Sequence, residues 1–592
     1  MSFSDLKSAR NNKSYVKSSV NCPTSSTSGE PVESGLEQNA ENVEPKATQD
    51  RLSFEEGMYS SLPSSVEIRR STSNGRGIWT LRPIRAGESI IVTKAFAASL
   101  SNQNLPSYCS SCFAPADPNG MQRCTKCRAA YYCDSICQTN DWAIHKHECS
   151  SLQQWFQAAP SKDILPPSDA VRCLSRMVWK RQRKGPGSVQ AKEIANMQSN
   201  RSSLKPSAYE THTYLAHSLV QFLGLTNPAE MAEYGLASAA DLVDLISRFV
   251  TNTFSVTDPA LTALGAAVSP VIALINHSCE PNAAVIFPRA TADSKSQEPS
   301  MQVIAIRDIY PQEEILTSYI DTTLPTDLRQ AALQETYNFT CTCSLCTSSA
   351  DPDPRQAMNC PKNCGGLCPL PLDEDSLIRC IKCNALVKSV DAMLDALRVG
   401  QEGLDKATKL QNIDFAKSIQ LTSNLMPILT SAGLIPSSHP LLGLSRLHQS
   451  LLTASFPSPP TQDHLDETIR TATKNVAGLG AILHEGHPVL AIAVAELGKL
   501  LAVDEPSPRA NPNVGPPAQM MYPPSGFPRL KLAYETLLRA RKMLLIGFGV
   551  VNEGGEVGKG IREMIVGLEK EMDVFSQGVR NVVEDTPKGK KR

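Results

Sequence analysis

The stretch that decides the fold is Asn276-His277-Ser278-Cys279-Glu280-Pro281-Asn282, and its counterpart is the triplet Cys341-Thr342-Cys343-Ser344-Leu345-Cys346. Apolar runs at 271–275 and 283–287 flank the first stretch, as expected for a turn between buried segments. A structural zinc ion takes four ligands in a tetrahedron, and the triplet supplies three thiolates. Cys279 is the natural fourth ligand. One metal ion is therefore predicted to join the two stretches.

Length and charge limit the classes of protein that this chain can represent. At 592 residues it exceeds one hydrophobic core, so several domains are expected. The 58 basic residues balance the 59 acidic ones, and no apolar run is long enough for a bilayer. We therefore expect neither membrane insertion nor direct nucleic-acid binding.

The 18 cysteines indicate metal ligands rather than a disulfide framework. They cluster at two- and three-residue gaps in a long chain, and its N-terminus lacks the profile of a signal peptide. We therefore expect a reducing compartment.

Residues 109–149 carry the most specific pattern in the chain. Four close pairs follow one another, and each can form half of a zinc site. Eight ligands suffice for two zinc ions. The pairs are Cys109 with Cys112, Cys124 with Cys127, Cys133 with Cys137, and His145 with Cys149.

A second cysteine group follows the triplet. Cys360 and Cys364 form one pair, Cys380 and Cys383 form another, and a Gly-Gly turn lies between the pairs. Cys368 competes with Cys364 for a place in the site. The spacing predicts a fourth zinc site in a small ribbon, with either Cys364 or Cys368 as a ligand.

The remaining chain is predicted from composition and periodicity. Residues 1–60 contain few apolar side chains and are expected to be disordered. Strands are expected from 66 to 96, and helices from 151 to 260 with a polar loop between about 180 and 205. From about 388 helices dominate again, in pairs that resemble tetratricopeptide (TPR) units.

Several ordered motifs carry a resemblance to a known family: Gly75-Arg76-Gly77, the stretch 276–282, Thr317-Ser318-Tyr319, Tyr337, Phe339 and the cysteine triplet. In these motifs the chain resembles the SET-domain lysine methyltransferases, in the branch that combines SET with a MYND zinc finger (SMYD-like). The resemblance covers roughly residues 65–350.

This resemblance implies a multidomain α+β protein, with a β-rich SET fold that a MYND zinc finger and a helical insert interrupt. A cysteine zinc ribbon and an α-helical TPR-like C-terminal domain follow. The expected boundaries are 1–60 disordered, 61–104 first SET part, 105–150 finger, 151–270 helical insert, 271–346 SET catalytic core and post-SET zinc site, 347–387 ribbon, 388–580 C-terminal helices and 581–592 basic tail.

The resemblance also implies ligand sets and residue roles. In the finger the pairs would interleave, with Cys109, Cys112, Cys133 and Cys137 on one ion and Cys124, Cys127, His145 and Cys149 on the other. Tyr319 would be catalytic. The residues implied to bind S-adenosylmethionine are Gly75, Arg76, Gly77, Asn252, Asn276, His277, Tyr319, Tyr337 and Phe339.

The implied function is methylation of a lysine side chain in a histone tail or a non-histone protein. The finger would bind a proline-containing peptide or serve as a structural support. We expect a monomer in the cytoplasm and nucleus. The alternative is a non-catalytic adaptor that binds peptides through the finger and the C-terminal helices, although an adaptor has no need of a cofactor pocket.

Overall fold

The computed structural model describes residues 50–51, 57–71, 75–118, 120–158, 164–289, 298–348, 352–506 and 522–585. The segment predicted to be disordered lies outside these residues except at 50–51 and 57–60, and the basic tail lies outside them from 586 onward. Tyr59 is buried, and its N–H donates to Oε1 of Glu193 over 2.6 Å. Ordered packing therefore begins before the predicted boundary at 61.

The described strands form three three-stranded antiparallel sheets, ordered β1-β2-β3, β11-β12-β4 and β5-β9-β8, and three two-stranded pairs. Of the pairs, β6–β7 and β14–β15 are antiparallel and β10–β13 is parallel. The strands are β1 (Asp50–Arg51), β2 (Val66–Ser71), β3 (Gly75–Thr80), β4 (Ser89–Lys94), β5 (Ala97–Leu100), β6 (Gln122–Arg123), β7 (Tyr131–Tyr132), β8 (Thr253–Thr257), β9 (Ala263–Val268), β10 (Asn276–His277), β11 (Ala283–Ile286), β12 (Ser300–Ala305), β13 (Leu316–Thr317), β14 (Ala357–Asn359) and β15 (Leu367–Pro369).

Helices occupy the insert between β5 and β8 and the C-terminal part, so the described chain is an α+β protein. The helices are α1 (Ser135–Gln157), α2 (Asp169–Lys184), α3 (Val189–Ala195), α4 (Pro206–Leu223), α5 (Pro228–Glu233), α6 (Ala239–Asn252), α7 (Thr326–Thr336), α8 (Ser344–Thr347), α9 (Val390–Leu410), α10 (Phe415–Ser431), α11 (Leu441–Ala454), α12 (Gln462–Gly480), α13 (Pro488–Leu501), α14 (Phe527–Gly547) and α15 (Gly555–Asp585).

Strand β12 packs against both the core of the β-sheets and the C-terminal helices. Successive side chains of a strand point to opposite faces of the sheet. Met301 and Val303 accordingly pack into the core of the β-sheets. Ile304 packs with Leu490 and Leu544 of the C-terminal helices. The sheet is thus covered on both faces, and the helical part rests directly on it.

Helix α6 follows the predicted pattern and ends beside the site. Ser238 and Asp241 form a capping box at its start, and Leu242, Ile246 and Phe249 are buried on one face. The helix ends at Asn252, where the chain enters β8.

The structure differs from the predicted layout of the insert at three points. Strands β8 and β9 fall inside the segment predicted to be helical to residue 270, because Thr253–Thr257 is rich in β-branched residues and pairs with the buried run Ala263–Val268. The predicted loop at about 180–205 contains the end of α2 and all of α3. Ser188 caps α3 by accepting from the N–H of Ala191. The finger helix α1 also continues past residue 150.

In the C-terminal part, each helix from α9 to α15 contacts the next one in sequence. The TPR-like arrangement of these helices stays a prediction. Among the described helices, none has the length and apolar character that crossing a membrane requires.

Candidate active site and metal centres

Two asparagines fasten the stretch 276–282 to the segment that carries β13. The fully buried Asn282 donates from Nδ2 to the carbonyl of Glu314 over 2.8 Å and accepts from the N–H of Leu316 over 2.7 Å. Asn276 donates to Oε1 of Glu314 over 2.7 Å and to the carbonyl of Arg76 over 3.0 Å. The strand β3 and two segments distant in sequence therefore meet at Asn276.

Two glycines of β3 serve this junction in different ways. A Cβ on Gly77 would lie 2.9 Å from Nδ2 of Asn276 and 2.7 Å from Cζ3 of Trp79, closer than side chains tolerate. Gly77 thus permits the approach of Asn276, and it does not line the cavity described below. Gly75 does line it, has a φ of +71°, and has open space where a Cβ would stand.

His277 connects the cysteine cluster to Tyr319. Its Nδ1 accepts from the N–H of Tyr319 over 3.0 Å, and its Nε2 lies 3.3 Å from Sγ of Cys279. Burial lowers the pKa of His277 to about 4, and Cys343 partly opposes this effect. The ring is therefore neutral at pH 7, with its proton on Nε2 because Nδ1 accepts.

Tyr319 is held by its hydroxyl as well as by its backbone. The hydroxyl donates to the carbonyl of Ile275 over 2.5 Å, and the ring centre lies 5.2 Å from that of His277. Burial raises the pKa of Tyr319, so the hydroxyl is protonated at neutral pH. A phenolic oxygen that donates one hydrogen bond can still accept another.

Two further aromatic rings complete the wall. The ring centres of Tyr337 and Tyr319 are 4.9 Å apart, and those of Phe339 and His277 are 5.9 Å apart. The hydroxyl of Tyr337 lies 3.4 Å from the carbonyl of Tyr319. The four rings form one aromatic cluster beside the cysteine triplet.

These groups open onto a cavity of about 1260 Å³ between the sheets, the insert and the C-terminal helices. Eight of the nine residues predicted to bind a cofactor line it, and Gly77 is the exception. The eight are Gly75, Arg76, Asn252, Asn276, His277, Tyr319, Tyr337 and Phe339.

Sequence reasoning missed the wall that the insert supplies. Asn196, Gln198 and Asn200 line the cavity, and so does Tyr59. Asn252 donates to the carbonyl of Gln198 over 2.8 Å and thereby holds this wall against the end of α6. A run of three amides within five residues was the available signal, but it lay in the segment predicted to be a solvated loop.

The cysteines of the finger form two separate clusters, divided as the family resemblance implies: Cys109, Cys112, Cys133 and Cys137 in one, and Cys124, Cys127, His145 and Cys149 in the other. The ligand atoms of each cluster lie within 4.8 Å of one another. Sγ of Cys112 is 3.6 Å from that of Cys133, and Sγ of Cys124 is 3.9 Å from that of Cys149. Nε2 of His145 lies 3.7 Å from Sγ of Cys127.

A buried charge network supports His145. Oε2 of Glu148 lies 3.4 Å from Nδ1 of His145, which directs Nε2 toward the cysteines. Glu148 is paired with Arg176 of α2, and Arg176 also contacts Oδ1 of Asp141 over 2.8 Å. The finger is thus anchored to the insert through buried ions.

The third cluster contains Cys279, Cys341, Cys343 and Cys346. Sγ of Cys279 is 3.5 Å from Sγ of Cys346, although 67 positions separate the two residues. The fully buried Arg329 places Nη2 3.7 Å from Sγ of Cys346, where its positive charge offsets thiolate charge. Cys279 therefore lies where the sequence predicted the fourth ligand.

The fourth cluster contains Cys360, Cys364, Cys380 and Cys383. Sγ of Cys364 is 3.5 Å from Sγ of Cys380, and Sγ of Cys360 is 3.4 Å from Sγ of Cys383. Cys368 is buried in the neighbouring core and lies outside this group. The structure thereby favours Cys364 over Cys368.

All four clusters suit a tetrahedral ion. With zinc–sulfur bonds of about 2.3 Å, the edge of a sulfur tetrahedron is about 3.8 Å, close to the separations above. Each cluster could hold one metal ion.

Comparison with known proteins agrees with this geometry. Residues 75–320 match the family model for the SET domain. The N-lysine methyltransferase SMYD2 of Gallus gallus is 32% identical over 289 residues, which are 48% of this chain and 60% of the relative. The same enzyme of Homo sapiens is 30% identical over 287 residues, which are 47% of this chain and 59% of the relative. The chain thus spans about three fifths of the length of these relatives.

A crystal structure titled as the SET domain of LSMT bound to lysine and AdoHcy aligns with 89% of this chain and 92% of that chain. The identity is 12% and the TM-score 0.23, a similarity too low to carry an argument.

Residues 75–320 are therefore similar to the SET domain. The relatives that this chain resembles over about half of its length are SMYD2 N-lysine methyltransferases.

Proposed function

We propose that this protein is an S-adenosylmethionine-dependent protein-lysine N-methyltransferase. The observation that carries the proposal is the position of Tyr319, which lines a cavity together with amide and aromatic side chains and whose hydroxyl is held by the carbonyl of Ile275. The relatives named as N-lysine methyltransferases support it.

The residues present fit the proposed cofactor. The amides of Asn196, Gln198 and Asn276 offer donors and acceptors for an amino-acid group and an adenine. Gly75 leaves space for close approach of a ligand to the backbone. When bound, S-adenosylmethionine supplies an electrophilic methyl group on a sulfonium.

The reaction needs a neutral lysine amine held in line with that methyl group. For an unperturbed lysine, with a pKa of about 10.4, deprotonation at pH 7 requires roughly 4–5 kcal/mol. The aromatic wall of Tyr319, Tyr337 and Phe339 disfavours the charged ammonium by desolvation and lowers this requirement. The role of Tyr319 is to orient the amine and the methyl group through its oxygen.

Zinc is the proposed ion in all four clusters, two in the finger, one in the post-SET cluster and one in the ribbon. Closed sets of four cysteines, or of three cysteines and one histidine, are typical of structural zinc. The post-SET ion would join Cys279 to the triplet and thereby keep His277 against Tyr319.

The proposed substrates are histone or non-histone proteins, methylated by a monomer in the cytoplasm and nucleus.

A second candidate function, peptide binding by the finger, is favoured by two exposed apolar side chains: Ile136 is 63% exposed and Trp142 is 42% exposed. Proline-containing peptides are the proposed ligands there, and such binding is compatible with catalysis.

The test is incubation of the full-length protein with radiolabelled S-adenosylmethionine and a panel of acceptor proteins. Tyr319→Phe should lose most transfer while keeping its zinc content and cofactor binding. Tyr310→Phe is the matched control, because Tyr310 is 71% exposed and outside the cavity, and it should retain transfer. Equal transfer by wild type and Tyr319→Phe would remove Tyr319 from the mechanism. Peptide binding without any transfer would favour the adaptor.

A further inference from the structure

A second cavity of about 250 Å³ lies between α7 and the C-terminal helices α9 and α11. Its lining includes the apolar side chains of Leu324, Leu328 and Leu442. Asp321, Thr323 and Arg446 line both this cavity and the large one. The two spaces are therefore neighbours that share one wall.

Two of the side chains that line both cavities form an ion pair. Nη1 of Arg446 lies 2.9 Å from Oδ2 of Asp321 and 2.9 Å from Oγ1 of Thr323. Asp321 follows Tyr319 by two residues, so their Cα atoms are at most about 7 Å apart. The residues that line both cavities therefore lie close to Tyr319.

The far wall presents a carboxylate in a fixed orientation. Nε2 of His439 lies 2.6 Å from Oε1 of Gln401, and Nε2 of Gln401 donates to Oδ1 of Asp405 over 2.9 Å. This chain of hydrogen bonds holds Asp405, which is half-buried. Among the described residues, no lysine or arginine forms an ion pair with Asp405, and its Oδ2 accepts no hydrogen bond.

The charge of this cavity favours a cation. Its ionisable wall consists of Asp321, Asp405, Arg446 and His439. Burial lowers the pKa of His439 to about 4, so its ring is neutral at pH 7. The charges of Asp321 and Arg446 cancel, so the net charge of the lining is the negative charge of Asp405.

We propose that the second cavity is a subsite for a lysine or arginine side chain that flanks the target lysine, with Asp405 as its acceptor. This inference rests on the proposed methyl transfer, and it assigns a substrate class to that site: peptides with a second basic residue near the modified lysine. The aliphatic stem of the side chain packs on the leucines, and its charged end reaches Oδ2 of Asp405.

The experiment uses the full-length protein and synthetic peptides with one target lysine, in which one flanking position at a time is Arg, Ala or Glu. The wild type should show a KM about tenfold lower for an Arg peptide than for the Ala peptide, with similar kcat. Asp405→Asn should abolish this difference, and Asp405→Lys should reverse the preference toward Glu. The matched control is Asp395→Asn, since Asp395 is exposed on the same helix and pairs with Arg398.

Fluorescence anisotropy of the same labelled peptides separates this inference from the proposed function. Asp405-dependent binding of Arg peptides without methyl transfer would support the subsite and contradict the proposed activity. Methyl transfer without a preference for a flanking Arg would overturn the subsite. A preference for Arg that the Asp405→Asn variant retains would overturn it as well.

Discussion

The backbone N–H of Tyr319 donates to Nδ1 of His277 over 3.0 Å, although 42 positions separate the two residues. The opposite nitrogen of the same ring faces Sγ of Cys279 at 3.3 Å. One imidazole thus lies between the tyrosine proposed to orient the methyl group and the cluster proposed to hold zinc.

Replacement of His277 by Ala should weaken the proposed site without emptying the zinc clusters of the finger. It leaves the N–H of Tyr319 without its acceptor, a loss of about 1–3 kcal/mol for a buried group. We expect S-adenosylmethionine affinity, measured by calorimetry, to fall about tenfold or more. His217→Ala, at an exposed position, should bind as the wild type does. Equal affinities for both variants would separate His277 from the site.

Zinc analysis by mass spectrometry tests the post-SET cluster. The wild type should contain four ions, and Cys279→Ser should contain three, because a closed four-thiolate set loses one ligand. Cofactor affinity should fall as well, since the loop that carries His277 is released. A full zinc content in Cys279→Ser would mean that Cys279 is no ligand.

The ribbon offers an internal comparison between two cysteines four positions apart. Cys364→Ser should lose one zinc ion, whereas Cys368→Ala should keep all of them, because only Cys364 belongs to the cluster. Loss of one zinc ion in Cys368→Ala but not in Cys364→Ser would instead make Cys368 the fourth ligand. Thermal unfolding should accompany the zinc analysis, since Cys368 is buried and its truncation leaves a small cavity.

The buried ion pairs between the finger and α2 should contribute more to the free energy of unfolding than exposed ion pairs do. Arg176→Met leaves Asp141 without its ion-pair partner and Glu148 with only the more distant Arg172, 3.8 Å from Oε1, so we expect a cost of about 3 kcal/mol to the free energy of unfolding. Arg398→Met removes an exposed pair with Asp395 and should leave the free energy of unfolding nearly unchanged. Denaturant titration of both variants measures the difference. Similar losses would show that the network does not anchor the finger.

Acid should destabilise the protein in part through His487. Its Nδ1 accepts from the N–H of Val489 at the start of α13, and burial lowers its pKa to about 4. The folded pKa lies below the ordinary value of 6.5, so its contribution to stability is complete above pH 6.5 and declines as the pH falls toward 4. His487→Asn should flatten the stability profile, measured by denaturant titration, between pH 7.5 and pH 5. Parallel profiles for wild type and His487→Asn would contradict this account.

Cysteine spacing predicted which cysteines lie close together, because close pairs can reach one ion whatever the rest of the fold does. The division of the finger cysteines came from the family resemblance rather than from spacing. The position of Cys279 followed from the ligand count, and the structure brings it to the triplet. The choice between Cys364 and Cys368 could not be made from sequence, because both lie at plausible distances along the chain.

Residues that act through tertiary contacts were harder to predict. Asn196 and Asn200 occur in a polar segment that composition alone describes as solvated, yet the chain folds this segment over the cavity. Cofactor binding by Gly77 stays a prediction, but the sequence did not reveal that the lack of a Cβ there permits the close approach of Asn276. Strand β9 pairs with β5 across the whole insert and with β8 on its other edge, and the long-range contact with β5 is one that local propensity does not encode.

The most direct test of the central claim is mass spectrometry of acceptor proteins after incubation with S-adenosylmethionine and the full-length protein. The account predicts methyl groups on lysine side chains with the wild type and with Tyr310→Phe, and almost none with Tyr319→Phe. Unmodified lysines across the whole panel, from a wild-type protein that binds S-adenosylmethionine and contains its zinc, would contradict it.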